Sequence, residues 1–528
     1  MSLSRRSFLS VAGLSAAGLA LPASARALSS SSSSGALSSL SSGSSSFGGL
    51  IPDRPKITHG VSSGDMRADG AIIWARADRP VRMAVTTAAT ESFANPRLHY
   101  SQVPLTPDTD GTGSLRLEGL ESGQDVFYRV HLEDLETGLW SEPVAGTFRT
   151  APTQAADIRF HWSADVAGQG YGINPDIGGM VGFRAMANRN PHFFLHSGDV
   201  VYADNPIEET KVLPDGRIWR NVTTEAKSKV AETLDEFRGQ YAYNLIDDHY
   251  KAFNAQVPQI VQWDDHETTN NWYAGEILDD ERYTERDVDI LSARSHQAFQ
   301  EWQPVDNTMA VDGRIYRKIS YGPLLDVFVL DMRTYKDHNT RHSTTNTEPG
   351  WILGQAQRDW LVSEVNKSTA VWKVIANDLP LGIIVPDGEF QEGVASGTPG
   401  APVGRESEIA HVLANIKDVV NVVWLTADVH YCAAHEYHPD RASFQEFSPF
   451  WEFVAGPLNA GGFGPNEMDS TFGPRVDFFH GPDFVDQSPL DDIQHFGEVD
   501  INAETRDFAV RMITTQGNVL YEKTLPAA

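Results

Sequence analysis

Carboxylate, amide, phenol and imidazole side chains follow apolar runs of this sequence, where a buried strand would give way to a loop. In an open α/β sheet the carboxyl ends of strands meet at one crevice. Polar groups gathered there are costly to desolvate unless a cation or mutual hydrogen bonds compensate. One such ending is ordinary at a strand end, but a succession of them favours a metal site. The residues are Asp165 after IRFHWSA, Asp199 and Tyr202 after HFFLHSG, Asp264, Asp265, His266 and Glu267 after QIVQW, Asn377 and Asp378 after WKVIA, and Asp428 and His430 after VVNVVWLTA.

The surrounding segments indicate which elements must position these side chains. From residue 151 onward, the apolar runs alternate with stretches of helical character, which predicts an α/β (α+β layered) domain over 151–528. Residues 57–150 contain short alternating segments separated by turn residues, as half-buried antiparallel strands do. LEGLESGQDVFYRV resembles the late strands of a fibronectin type III sandwich, so we interpret 57–150 as such a domain. A β meander belonging to the main domain is the alternative.

The N-terminal residues are predicted to be a targeting segment. Ser4–Leu9 has a twin-arginine pattern, Val11–Leu21 is apolar, and Ala25–Ala27 offers a small-x-small cleavage site. We therefore expect 1–27 to be a twin-arginine signal peptide, and the Ser/Gly-rich stretch 28–56 to be a flexible linker. This predicts export by the twin-arginine machinery to the periplasm or the medium. No later segment is apolar over the length that a membrane span needs.

Composition excludes some classes of function. The chain has 528 residues, 41% of them hydrophobic, and is long enough for more than one domain with its own core. Its net charge of -29 argues against a nucleic-acid groove, because phosphate backbones bind Lys and Arg. The same charge fits a protein that binds cations. Cys432 is the single cysteine, which excludes an intrachain disulfide.

Several blocks together resemble a known family. GDVVY, WDDHETTNNW, NDLPLG and TADVHYCAAH are similar to the signature blocks of the metallophosphoesterase superfamily, and in particular of its alkaline phosphatase D (PhoD-type) family. SADVAGQGYGIN, LDMRTY and AGPLNAGGFGPNEMD resemble further blocks of that family, and the resemblance runs from about residue 57 to the end. It implies a calcineurin-like metallophosphoesterase β-sandwich flanked by helices, preceded by the smaller sandwich, and it implies hydrolysis of phosphate esters.

The chain departs from the wider superfamily pattern in one direction. That pattern reads D-x-H, G-D, G-N-H-E/D, H and G-H-x-H. Here Ala167 replaces the first histidine and Asp265 replaces the asparagine. Asn377 replaces the lone histidine, and Asp428 replaces the first histidine of the last block. These changes remove nitrogen ligands and leave oxygen ligands, while Tyr202 adds a phenol beside the G-D block.

The departures predict two unlike cation half-sites that share one bridging carboxylate. A set of phenolate, carboxylates and imidazole suits Fe3+, and a set of oxygen ligands alone suits Ca2+ better than Zn2+. The resemblance implies the same pair, because the PhoD-type family uses iron with calcium. The expected ligands are Asp199 as the bridge, Asp165, Tyr202 and His430 for iron, and Asp265, Asn377 and Asp428 for calcium.

The family can also provide a cysteine ligand to iron from the first block. Ser163-Ala164-Asp165 lacks that cysteine. Cys432 lies on the strand of His430 with the same side-chain parity, so it is either a further ligand or a free buried thiol.

Two cations so placed predict hydrolysis of phosphate monoesters, and also of diesters, by metal-bound hydroxide. The resemblance implies that His266 contacts the phosphate or protonates the leaving group. Arg333 either pairs with phosphate oxygens or forms a salt bridge with Asp331 or Asp337. We assign no role to His196.

Two other functions are compatible with part of the pattern. One is a phospholipase D or phosphodiesterase type of hydrolase with the same centre. The other is a calcium-stabilised exported binding protein, in which the acidic loops are structural. The second leaves Tyr202, His266 and His430 without a role, and no calcium loop of the EF-hand type occurs.

Overall fold

Two mixed β-sheets form the framework of the structure, a computed structural model that describes residues 53–309, 314–339 and 350–528. Residues 54–528 form one unit. The predicted signal peptide, 1–27, and residues 28–52 of the predicted linker lie outside the described residues. Among the helices that the structure describes, none has the length and apolar character needed to cross a membrane.

The apolar runs of the sequence are strands, with helices between them. The strands are β1 (Ile57–Arg67), β2 (Gly70–Ala77), β3 (Val81–Ala88), β4 (Arg97–Tyr100), β5 (Thr112–Arg116), β6 (Asp125–Asp134), β7 (Val144–Arg149), β8 (Ile158–Ser163), β9 (Phe193–Ser197), β10 (Thr210–Val212), β11 (Ile218–Arg220), β12 (Gln259–Gln262), β13 (Arg317–Ser320), β14 (Leu325–Val329), β15 (Trp372–Ala376), β16 (Pro386–Asp387), β17 (Phe390–Gln391), β18 (Val422–Thr426), β19 (Cys432–Tyr437), β20 (Phe450–Val454), β21 (Pro474–His480), β22 (His495–Ile501), β23 (Phe508–Thr514) and β24 (Val519–Leu525). The helices are α1 (Val181–Ala187), α2 (Leu234–Asn244), α3 (Asp248–Gln256), α4 (Val288–Trp302), α5 (Gly354–Lys367) and α6 (Glu406–Ile416).

The strands that lead into the predicted site are parallel within each sheet. The nine-stranded sheet has the order β24-β23-β22-β8-β9-β12-β1-β2-β5, and β8, β9 and β12 run parallel. The seven-stranded sheet has the order β13-β14-β15-β18-β20-β19-β21, with β14, β15, β18 and β20 parallel. Because parallel strands place their carboxyl ends at the same edge, each sheet brings its polar endings together.

The core lies between the two sheets, and helices cover their outer faces. Trp162 and Phe193 of the larger sheet belong to the same buried cluster as Val374 and Phe453 of the smaller one. Residues of α1 to α4 form a second apolar cluster against the larger sheet, and residues of α5 and α6 form a third against the smaller sheet. The predicted α+β layered class is confirmed.

ETLDEFRGQYAYNLIDDHYKAF, residues 232–253, has helical character along its whole length in the sequence but forms two helices. Thr233 and Glu236 form a reciprocal capping box at the start of α2. Asp247 accepts the N–H of Tyr250 and begins α3 after a break of a few residues. Periodicity does not distinguish one long helix from two short ones, whereas the Asp247 cap does.

The N-terminal strands make a two-sheet sandwich that is joined to the main sheets. β4, β3, β6 and β7 form one sheet, while β1, β2 and β5 continue the nine-stranded sheet, where β1 pairs in parallel with β12. Asp65 at the end of β1 forms a fully buried ion pair with Arg317 of β13, at 2.7 Å. The sandwich interpretation fits these strands, although the sheet that contains β1, β2 and β5 is shared with the main domain. The boundary at residue 150 stays a prediction.

Candidate metal centre

The predicted strand-end residues lie together in one buried cluster. Loops after β8, β9 and β12 of the larger sheet and after β15 and β18 of the smaller sheet contribute to it. Three groups have ligand atoms within 4.8 Å of one another: Asp165, Asp199 and His430; Asp199, Asp265 and His266; and Asp264, Asp265 and Asp428.

In the half-site predicted for iron, the candidate ligand atoms of Tyr202, His430 and Asp165 lie close together. The phenol oxygen of Tyr202 lies 2.9 Å from Nε2 of His430. Nδ1–H of His430 donates to the carbonyl of Gly461 at 2.5 Å, so Nε2 is the nitrogen with a free lone pair. Nε2 also lies 3.7 Å from Oδ1 of Asp165. Both carboxylate oxygens of Asp165 are buried without a hydrogen-bond partner among the described residues. Unpaired buried oxygens of this kind fit a cation.

Two glycines allow these side chains to approach the backbone closely. A Cβ on Gly168 would lie 2.6 Å from the ring of Tyr202, and one on Gly456 would lie 2.3 Å from Oδ2 of Asp165. Any larger residue at either position would displace a predicted ligand. Gly168, the first glycine of SADVAGQG, is therefore required by packing within the site.

The half-site predicted for calcium offers only oxygen. Asp264 joins the predicted Asp265 and Asp428 in one group. The amide nitrogen of Asn377 donates to the carbonyl of Leu379 at 2.7 Å. Its Oδ1 is buried with no hydrogen-bond partner in the part of the chain that the structure describes. This oxygen is a donor atom available to a hard cation.

Arg333 lies among carboxylates, but not those expected. Its fully buried guanidinium bonds to Asp378 and Asp428, each at 3.0 Å, and also to Asp264 and Glu392. The guanidinium makes no bond to Asp331, which accepts the backbone N–H of Arg333 instead, and no side-chain pair with Asp337 is present among the described residues. The arginine thus partly neutralises the acidic half-site. Its contact with phosphate stays a prediction.

His266 has a partner that sequence reasoning missed. Nδ1 of His266 lies 2.7 Å from Oδ1 of Asp204, and the His266 backbone N–H donates to Oδ1 of Asp199 at 3.1 Å. Burial alone would lower the pKa of His266, but Asp204, Asp265 and Asp199 together raise it well above the usual value. The ring also stacks on Tyr202 at 4.2 Å. The only sequence signal for Asp204 is its place two residues after Tyr202.

Two further buried groups support the loops. Glu267 accepts the backbone N–H groups of Val200 and Asp264, at 2.6 and 2.7 Å, and ties the loop after β9 to the loop after β12. Burial raises the pKa of Glu267 to about 7. Lys227 donates to the carbonyl of Tyr202 at 2.7 Å, and burial lowers its pKa to about 7. Lys227 belongs to no motif, and no sequence pattern indicated its contact with Tyr202.

Site residues adopt backbone conformations that L-residues rarely take. The φ angles are 66° at Asp165, 69° at Ala167 and 47° at Asp199. They are 65° at Asp428 and 59° at His430. Left-handed conformations at non-glycine residues are strained and cluster at functional sites. They turn the chain directly after each strand, which directs the side chains into the cluster.

The electrostatics of the cluster also fit cations. Burial raises the pKa of Asp165 well above its usual value, and His266 opposes this only in part. Burial likewise raises the pKa of Asp199 and of Asp428. Carboxyl groups that resist ionisation in the bare protein are stabilised as carboxylates when a cation binds.

Cys432 lies in none of the groups that contain His430. It belongs instead to a separate group with His480 and His495. Its thiol is free and buried, which agrees with the buried-thiol alternative and not with a ligand of the cation at His430.

Comparison with known proteins identifies relatives over most of the chain. The model of the PhoD-like phosphatase family matches residues 160–512, and that of the PhoD-like phosphatase N-terminal domain matches 44–152. Alkaline phosphatase D of Bacillus subtilis (strain 168) is 28% identical over 457 residues, covering 80% of this chain and 73% of that protein.

Two solved structures are similar in fold. The structure of PhoD has a TM-score of 0.67 at 21% identity and covers 89% of this chain and 92% of its own. A purple acid phosphatase from yellow lupin (Lupinus luteus) seeds has a TM-score of 0.55 at 12% identity, covering 90% of this chain and 75% of its own. The predicted metallophosphoesterase fold is confirmed.

Proposed function

Because the chain belongs to the PhoD-like phosphatase family and is a phosphoric ester hydrolase, we propose that it is an exported enzyme that uses Fe3+ and Ca2+ to hydrolyse phosphate monoesters and diesters. The observation that carries this proposal is the position of Asp199. A ligand atom of Asp199 lies within 4.8 Å of Asp165 and His430, which belong to one half-site, and within 4.8 Å of Asp265, which belongs to the other. A carboxylate between the two half-sites supports a bridge between two cations.

The donors support a division between the two ions. Asp165, Tyr202 and His430 offer a carboxylate, a phenol and an imidazole on one side of Asp199. Asp265, Asn377 and Asp428, with Asp264, offer oxygen alone on the other. Hard trivalent iron suits the first set, and calcium suits the second. When bound, such a pair supplies Lewis acidity that lowers the pKa of water and neutralises phosphate charge.

His266 is the group that we expect to act on the leaving oxygen. Asp204 lies against Nδ1 of the ring and, with Asp265 and Asp199, raises the pKa of the imidazole, which favours a protonated ring whose other nitrogen is a donor. Its ring also stacks on Tyr202, with 4.2 Å between the ring centroids, so two neighbours set its orientation. Arg333 holds Asp264 and Asp428 in place, and a direct phosphate contact by Arg333 is a further proposal.

Substrate size depends on loops around the cluster. The hairpin of β16 and β17 lies in the loop 383–405, and its Asp387 accepts hydrogen bonds from Asn271 at 3.1 Å and Asn339 at 3.0 Å. This connects the 383–405 loop to the loop after β12, which contains His266. We propose that the wall so formed admits both ester classes; a phospholipase D or phosphodiesterase preference is the alternative.

Localisation rests on the N-terminal pattern alone. Ser4–Leu9 and the apolar stretch Val11–Leu21 support export by the twin-arginine machinery, and we propose a periplasmic or secreted enzyme. That route carries folded proteins, which suits a protein that receives its metal before export.

The substrate proposal is tested with p-nitrophenyl phosphate and bis(p-nitrophenyl) phosphate, using protein expressed with iron and calcium. We expect turnover of both esters, and loss of both in a His266→Gln variant. Asp176, an exposed residue paired with Arg220, provides a matched control as Asp176→Asn. Turnover of the monoester alone would contradict the proposal that the enzyme also hydrolyses diesters. Turnover of neither, in protein that holds both metals, would contradict the proposal and favour the calcium-stabilised binding protein.

A further inference from the structure

A second cluster of metal-binding side chains lies outside the catalytic centre. Cys432, His480 and His495 have ligand atoms within 4.8 Å of one another. Cys432 and His495 are fully buried, and His480 is half-buried. We propose that these residues form a separate site for Zn2+ that joins the two β-sheets.

The three residues come from three strands in two different sheets. Cys432 begins β19 and pairs directly with His480, the last residue of β21, in the seven-stranded sheet. His495 begins β22 of the nine-stranded sheet. A cation held by all three would therefore connect the sheets across the core at the edge where His480 reaches solvent.

The ring of His495 is already oriented for a cation. Its Nδ1–H donates to the carbonyl of Gly456 at 3.0 Å, so its Nε2 carries a lone pair. That lone pair faces Nδ1 of His480 at 2.8 Å. A backbone carbonyl that fixes the far nitrogen of a histidine is the usual outer support of a metal ligand. The same bond fixes the tautomer of the neutral His495 ring, with its proton on Nδ1.

Binding of the cation requires a definite rearrangement of protons. In the metal-free protein Nδ1–H of His480 donates to Nε2 of His495. A cation between the two rings binds Nδ1 of His480 and Nε2 of His495. The proton on Nδ1 of His480 therefore moves to Nε2 of the same ring, on its half-buried side. The thiol of Cys432 loses its proton to solvent, since only the thiolate binds metal. One proton is released for each cation bound.

The donor set selects the class of metal. One thiolate and two imidazoles suit Zn2+, which takes sulfur and nitrogen in a tetrahedral arrangement with water in a remaining position. The half-sites of the catalytic centre, by contrast, offer oxygen ligands, with His430 beside Tyr202 and Asp165 as the imidazole ligand. The two sites therefore discriminate between soft and hard cations.

Cobalt(II) tests this site because Cys432 is the only cysteine in the chain. A thiolate-to-Co2+ charge-transfer band in the near ultraviolet can arise from no other residue. We expect the band to appear in the full chain with about one equivalent of Co2+, and Zn2+ to remove it by displacement. It should be lost in Cys432→Ser and in His480→Gln. Asp165→Asn, which alters the catalytic centre, should keep it.

Each outcome decides the proposal. His480 ends an edge strand and is half-buried, so its substitution should leave the fold intact, which circular dichroism checks. Absence of the band in the wild-type protein would overturn the site, whatever the variants do. A band lost in Asp165→Asn but kept in His480→Gln would also overturn it, because Cys432 would then bind the catalytic cation instead.

Discussion

The phenol oxygen of Tyr202 lies 2.9 Å from Nε2 of His430, although 228 positions separate the two residues in sequence. Because Nδ1–H of His430 donates to the carbonyl of Gly461, Nε2 has the free lone pair that faces the phenol. In the metal-free protein the hydroxyl of Tyr202 therefore donates to Nε2 of His430. Burial, together with Asp199 and Asp165, raises the pKa of Tyr202 well above its usual value. The phenol therefore ionises only when a strong cation replaces its proton.

Tyr202→Phe tests the phenolate directly. A phenolate bound to Fe3+ absorbs visible light, so we expect a violet wild-type protein and a colourless variant with less iron. The fold should persist, because the ring is kept and one buried hydroxyl accounts for about 1 kcal/mol. Visible absorption and iron content of the purified proteins are the measurements.

Tyr241 provides the matched control for Tyr202. It is also a buried tyrosine, and its hydroxyl has no hydrogen-bond partner among the described residues. Tyr241→Phe should keep both colour and iron. A colourless wild type that holds iron and is active would remove Tyr202 from the ligands.

Asp204→Asn tests the role of His266. Asp204 raises the pKa of His266 against the effect of burial, so its loss lowers that pKa. If the protonated imidazole serves the leaving group, activity persists below this pKa and is lost as pH rises through it. The variant should therefore lose activity at lower pH than the wild type, by about one pH unit or more. The pH profile of kcat is the measurement; an unshifted alkaline limb would mean that His266 does not act as the acid.

Asp428→His tests the calcium half-site. Asp265, Asn377 and Asp428 offer oxygen only, so a calcium-selective chelator should remove activity and Ca2+ should restore it far better than Zn2+. The histidine returns a nitrogen ligand, which should weaken the calcium requirement and let Zn2+ substitute. Metal titration of both apo-proteins is the measurement. Full reactivation of the wild type by Zn2+ alone would be incompatible with the assignment.

Asp65→Asn tests how the N-terminal sandwich is joined to the main sheets. Its two oxygens accept from Arg317 at 2.7 and 2.9 Å, and both side chains are fully buried. The variant leaves a buried guanidinium uncompensated, which should lower the free energy of unfolding by about 3 kcal/mol or more.

Denaturant unfolding measures this change, with Asp69→Asn as the control. Asp69 is exposed and lies 3.6 Å from Arg67, so its loss should change little. Equal stability of the two variants would show that the Asp65 pair does not hold the sandwich in place.

The sequence was sufficient for the strands that carry the site. Their apolar runs are continuous and end in polar residues, and both features are local. The partners of Arg333 could not be predicted, because Asp378 and Glu392 reach it from distant loops. Lys227 was missed for the same reason, since its contact with Tyr202 depends on how a long connection folds back.

The N-terminal sheet shows the same limit. Short alternating segments predict an antiparallel sandwich over 57–150, but the parallel pairing of β1 with β12 joins Gly64 to Gln259, which no local pattern encodes. Cys432 is a further case. Its parity on the strand placed it with His430, whereas the register of β19 and β21 places it opposite His480.

The central claim is that Asp199 joins two cations in one hydrolytic centre, and Asp199→Asn tests it most directly. Its carboxylate lies within 4.8 Å of ligands of both half-sites, Asp165 and His430 on one side and Asp265 on the other, so its loss should lower the content of both ions together. The strands and helices are untouched, so the fold should survive. The measurement is the iron and calcium content of wild type and variant, taken alongside turnover of p-nitrophenyl phosphate. We predict that both ions and the activity are lost together; a variant that keeps near-wild-type turnover with both ions bound would contradict the account.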